Sequence, residues 1–237
     1  MIQANCRAQF TADDFSFVVR VLAKSPRDAV SLVSLLSDEA ERDAILDHDL
    51  IYNSVVDGAG CLQVSAAFYF YILTRRVLRR ASLEERALTD YVAAVLLAFS
   101  HINQLRAPGA PVEPTPTARS FTYISDLIAQ AGKCSPEQAF GVRVHTANYA
   151  LFLSGMFAER VHAHVQRRGA PSLSFYEAVG QSTFLSVADH PLARRTELQE
   201  IFRLLGGEFR RVRVALNTLA DTLLHLHETP SILIRPT

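Results

Sequence analysis

Glu159 and His162 stand three residues apart in the stretch "AERVHAHV". An ExxH spacing puts a carboxylate and an imidazole on one side of a helix. Di-metal helical bundles use two such pairs, with one further glutamate from each of two other helices. This chain has no second ExxH, and Arg160 sits between the two would-be ligands, where its charge opposes a dication. His162 and His164 are two residues apart and diverge on a helix, as do His225 and His227 beside Glu228. Asp47-His48-Asp49 could be a fragment of a metallophosphohydrolase site, but no partner histidines or aspartates can be identified, so capping and solvation explain it better. GxSxG, P-loop, complete GxGxxG and HExxH patterns are all missing from the sequence. No catalytic residue, metal site or cofactor is therefore expected, and the reading leans away from an enzyme.

Two weaker groupings remain. His145, Tyr149, Phe152 and Met156 recur at helical spacing, so the imidazole faces the same way as three apolar side chains. His145, Asn148 and Tyr149 thus form a candidate buried polar or ligand site. An axial haem ligand would need a second ligand or a CxxCH, and neither accompanies it. A core histidine bonded to Tyr149, Asn148 or a backbone carbonyl is the favoured reading. The second grouping is basic. Arg75, Arg76, Arg79 and Arg80 cluster in one stretch and Arg203, Arg210, Arg211 and Arg213 in another, with Arg167-Arg168 and Arg194-Arg195 as pairs. Together they make a candidate polyanion surface only if they converge on one face. Local acid partners on solvated helices are the simpler expectation.

Composition narrows the classes. Apolar residues make up 49% and charged residues 20% of the 237, the balance of a globular chain rather than a disordered one. Net charge is zero, so no overall field recruits nucleic acid. The charge is uneven, however: residues 1–60 hold ten acids against five bases, and residues 61–237 hold fourteen against nineteen. Cys6, Cys61 and Cys134 are odd in number and far apart, which fits a reducing cytoplasm and no disulfide framework. No uninterrupted apolar run approaches the roughly twenty residues of a membrane span, and the opening residues lack the apolar stretch of a signal peptide.

The elements that would position these side chains are helical throughout. A first helix is expected after Thr11, a second at Pro26, a third capped by Ser37 or Asp38, and a short fourth through "LIYNSVV". "SAAFYFYILTRRVLRRA" ends in arginines, which suits a helix C-terminus. "SLEERALTDYVAAVLLAF" opens with Ser82 and Glu85 at capping-box spacing. Pro108, Pro111, Pro114 and Pro116 mark a loop over 106–118. From about 137 to 168 a single helix is predicted, apolar on every side between Ala147 and Phe157 and therefore buried at the centre. Leu198, Phe202, Leu205, Phe209, Val212, Leu216, Leu219, Leu223 and Leu226 alternate by four and three, the seam of a long C-terminal helix that Gly206-Gly207 could kink.

The stretches "RDAILDHDLIYNSVV", "FYFYILTRRVLRR", "HTANYALFLSGMFAERV", "RRGAPSLSFYEAVGQ" and "ADHPLARR" followed by "VRVALNTLADTLL" resemble, in order and over most of the chain, a group of uncharacterised bacterial helical proteins. The resemblance implies a bacterial, soluble, all-helical protein and carries over no functional residue. The expected fold is all-α: about seven to ten helices, mostly antiparallel around the buried 137–168 helix, with an acidic helical segment at 1–60 packed on a main domain at 61–237. The expected function is a non-catalytic cytoplasmic scaffold or adaptor acting on an unknown protein partner. Nucleic-acid binding through the arginines comes second, and an enzyme or ligand receptor with a pocket near His145 third. No membrane association is expected. The seam leaves a homodimer open, although an intramolecular seam is preferred.

Overall fold

The structure is a computed structural model that describes residues 2–57, 64–100, 120–168 and 171–228. The proline-rich stretch 106–118, the Gly58–Gly60 break and Cys61 lie outside the described residues, as does the side chain of Leu226. Everything described is helix, turn or coil, so the fold is all-α.

After a 3-10 turn at Arg7–Gln9, four short helices follow: α1 (Ala12–Leu22), α2 (Pro26–Leu36), α3 (Glu39–Leu46) and α4 (Asp49–Val56). Each begins on a side-chain cap. Thr11 and Asp14 form a reciprocal capping box on α1, Ser25 caps α2 with Pro26 in its first turn, Asp38 caps α3, and the His48 imidazole accepts from the Leu50 N–H to cap α4. Asp14 also accepts from the Ser65 backbone N–H at 2.6 Å and its hydroxyl at 2.7 Å, so one buried carboxylate links the start of α1 to the residue before the next helix.

The body comprises α5 (Ala66–Arg80), α6 (Arg86–Ser100), α7 (Ser120–Ala131), α8 (Pro136–Met156), α9 (Ala158–Arg168), α10 (Leu173–Ala188), α11 (Pro191–Arg195), α12 (Gln199–Gly207) and α13 (Phe209–Glu228). Helix α8 packs against α6, α7, α10 and α13, and α5 against α4, α6 and α13. One continuous apolar cluster joins Cys6, Phe17 and Ile51 of the first segment to Phe68, Tyr91, Phe202 and Leu216 of the body.

Four sequence expectations are corrected. The described residues form thirteen α-helices, more than the seven to ten expected. The helix predicted over 137–168 is two helices, broken at Phe157 (φ −131°, ψ 35°). Asn217 of α13 causes the break to hold: its Nδ2 donates to the carbonyls of Ser154 (2.9 Å) and Gly155 (2.6 Å), taking acceptors that the next helical turn would otherwise use. The C-terminal helix is likewise two, broken at Glu208 directly after Gly206-Gly207. The seam residues from Leu198 to Leu219 are nevertheless buried. Its first half serves α10 and α6, and its second half serves α8 and α5, so one repeat pattern addresses two sets of neighbours. Ser82 does not cap α6. It sits in the left-handed region (φ 57°) and ends α5, with the Leu83 N–H bonded back to Leu78 O and the Ser82 N–H to Arg79 O, a Schellman-type stop.

Glycines permit two close crossings. A Cβ on Gly155 would lie 2.9 Å from Leu216, and one on Gly180 would lie 2.2 Å from the Phe209 ring. Only a bare backbone lets α13 approach α8 and α10 this closely.

Candidate functional site

Most of the first arginine cluster is engaged with the acidic N-terminal segment. Arg75, almost fully buried, donates Nε and Nη2 to the two oxygens of Asp47 at 2.9 and 3.0 Å, and Nη1 to the Glu84 carbonyl at 2.7 Å. Arg79 lies 3.6 Å from Asp47 and 3.5 Å from Glu84, and Arg76 pairs with Asp49 while lying over the Tyr52 ring. Arg86 bridges Asp43 at 3.1 Å and Asp47 at 3.0 Å. Burial raises the Asp47 carboxyl, but Arg75, Arg86 and Arg79 override it and hold the group below the ordinary carboxylate range. Arg7 completes the network by bonding Asp43 and Asp90. Arg80 alone of the four is exposed without an ion pair among the described residues.

The second cluster is scattered. Arg203 pairs with Asp189 and Glu200 on the surface. Arg213 turns inward to Glu177 and Asn217 at 2.6 Å each. Arg211 binds Glu208 and reaches the Ala81 carbonyl at 2.7 Å, so the start of α13 meets the end of α5 there. Arg210 is exposed. Six of the eight arginines are thus already paired with acids, and Arg80 and Arg210 are exposed.

His145 stacks near Tyr149 (centroids 6.2 Å apart) and meets the Phe99 edge at 5.7 Å. Burial pushes its imidazole down to about 4, which keeps it neutral at physiological pH. The side-chain oxygen of neighbouring Asn148 accepts from the buried Tyr91 hydroxyl at 3.0 Å. Glu159 and His162 are exposed on α9, and the described residues contain no cluster of three or more His, Cys, Asp or Glu arranged to hold a metal ion. No described helix is long and apolar enough to cross a membrane.

Two concave features stand out instead, and neither contains His145. A cavity of about 560 Å³ opens at the α8–α9 break, lined by Phe70, Leu96, Phe152, Met156, Phe157 and Leu223, with Glu159, Arg160 and Asp221 at its edge. The other is a groove of about 550 Å³ between α1 and α2, lined by Phe15, Val19, Val33 and Leu36. Beside it α2 leaves Val30 74% and Val33 58% exposed, and Leu36 is its one buried residue.

Sequence reasoning missed both features. The cavity exists because α8 stops at Phe157, and the cause lies sixty residues away at Asn217. The groove had a readable signal: "AVSLVSLL" carries more apolar positions than a helix covered on one side can bury.

Compared with protein-family models, curated proteins and solved structures, the chain matches none.

Proposed function

We propose that the protein is a non-catalytic adaptor in the cytoplasm that works through protein contacts, and that its contact face is the α1–α2 groove. The observation that carries this is the exposure of Val33 on an apolar groove, and of Val30 three residues before it, in a helix that buries only Leu36. Exposed apolar surface with a polar rim marks interaction sites, and an apolar groove between two helices suits an amphipathic helix from a partner. Arg20, Ser16 and Ser37 border the floor and would meet the polar flank of such a helix. The unpaired thiols of Cys6 and Cys134 fit a reducing compartment.

Polyanion binding has less support, because Arg75, Arg76 and Arg79 are already paired with Asp47, Asp49 and Glu84. The test of the adaptor reading uses Val30→Glu/Val33→Glu, which alters exposed positions and should leave helicity and thermal stability unchanged. Partners crosslinked to the wild-type chain in its native cell should be lost from the double variant. The purified partner should then bind wild type and not the variant. An unchanged partner set would sink the proposal.

A further inference from the structure

The cavity at the α8–α9 break differs from the α1–α2 groove in having carboxylates among its lining residues. Its walls are the rings of Phe70, Phe152 and Phe157 with the side chains of Leu96, Met156 and Leu223. Its volume of about 560 Å³ falls among those of small-molecule sites, roughly 300–1,000 Å³.

The polar groups around it have little left to donate. The Ser100 hydroxyl already donates to the Leu97 carbonyl at 2.7 Å. Both amide hydrogens of Asn217 serve the Ser154 and Gly155 carbonyls, and its oxygen accepts from Arg213. Among the described residues, what remains at the mouth is two exposed carboxylates, Glu159 and Asp221, against one guanidinium, Arg160, which lies 5.9 Å over the Phe157 ring. Helix α8 ends and α9 begins here, so the carbonyl pole of the one and the amide pole of the other offset each other.

We propose that this cavity binds an amphiphilic cation, a molecule with an apolar body among Phe152, Met156 and Leu223 and an ammonium or amidine head at Glu159 and Asp221. Three independent terms select that class. The apolar walls favour the body by burial. The carboxylates favour positive charge, and among the described side chains the committed donors leave only Arg160 for an anionic head.

The probes are octyltrimethylammonium and octanoate, each titrated calorimetrically into the full chain below the concentration at which it self-associates. The cation should bind saturably at one site per chain, about tenfold or more tighter than octanoate. Glu159→Gln/Asp221→Asn changes only exposed side chains and should bring the two probes to near-equal affinity. Ala220→Phe, which places a ring in the cavity, should abolish binding of both, with circular dichroism reporting the fold. Three results would each overturn the proposal: octanoate binding as tightly as the cation to wild type, no saturable binding of the cation, or a preference for the cation that survives the double charge variant.

Discussion

Arg7 and Asp90 are joined twice, through the Arg7 backbone N–H to Oδ1 at 2.8 Å and Nε to Oδ2 at 2.9 Å. The same guanidinium continues to both oxygens of Asp43 at 2.8 and 2.9 Å. One residue near the start of the chain therefore pins α3 to α6. Asp90 is 4% exposed, and removing it leaves the Arg7 backbone N–H and Nε without their acceptor while Asp43 still holds the guanidinium. Asp90→Ala should cost about 2–3 kcal/mol in urea unfolding, while Arg203→Ala, a surface pair, should cost about 1 kcal/mol or less. Equal losses for the two variants would show that the Arg7 network contributes no more than a surface pair.

The crossing of α8 and α13 should show in a mutant cycle. Gly155→Ala would push a methyl to 2.9 Å from Leu216 and cost about 1–3 kcal/mol. Leu216→Ala, at a fully buried position, should cost about 2–5 kcal/mol. Combined, the two should fall short of additivity by at least about 0.5 kcal/mol, because each relieves the other. Leu216→Asp should not fold at all. A folded Leu216→Asp monomer, with a wild-type dimer in light scattering, would instead make the seam an interface between copies.

A pH titration tests His145. Its folded-state pKa, about 4, lies below the ordinary value of 6.5, so between these values the unfolded chain binds the extra proton. Stability from this group is therefore fully present above about pH 6.5 and lost as pH falls towards 4, by at most about 3 kcal/mol. Comparing wild type with His145→Leu isolates that part from the carboxylates, since Asp47, held low by its arginines, titrates in both. The gap between the two stability curves should shift in favour of the variant as pH drops from 7 to 4. A gap that stays constant across that range counts against a neutral, buried imidazole.

Legibility followed distance along the chain. Local capping signals such as Thr11 with Asp14 and Ser135 with Gln138 are present in the structure as reciprocal capping boxes, because every bond they need lies within one turn. Ser82 and Glu85 carry the same pattern and fail, since the Leu78 and Arg79 carbonyls claim that backbone first to end α5. The two long helices were over-read for a related reason. Periodicity reports which positions are apolar, and burial from Leu198 to Leu219 agrees with it, but periodicity does not register a change of neighbours at Glu208. At the candidate sites, arginine clustering was visible and its meaning was not. Asp47 lies 28 positions from Arg75, and no local pattern announces that the acidic segment folds back onto those guanidinium groups.

The placement of α13 has a consequence for how the chain is made. The helix nearest the end of the described residues covers α5, α8 and α10, which are all synthesised earlier. Leu216 cannot reach Gly155, nor Phe209 Gly180, until those last turns exist. During translation the apolar faces of α5 and α8 wait uncovered while well over a hundred residues are added after α5. A nascent chain in that condition is exposed to aggregation and is a natural client for chaperones that shield apolar helices. The order of the elements thus sets a vulnerable interval in the life of each molecule, which closes when α13 docks.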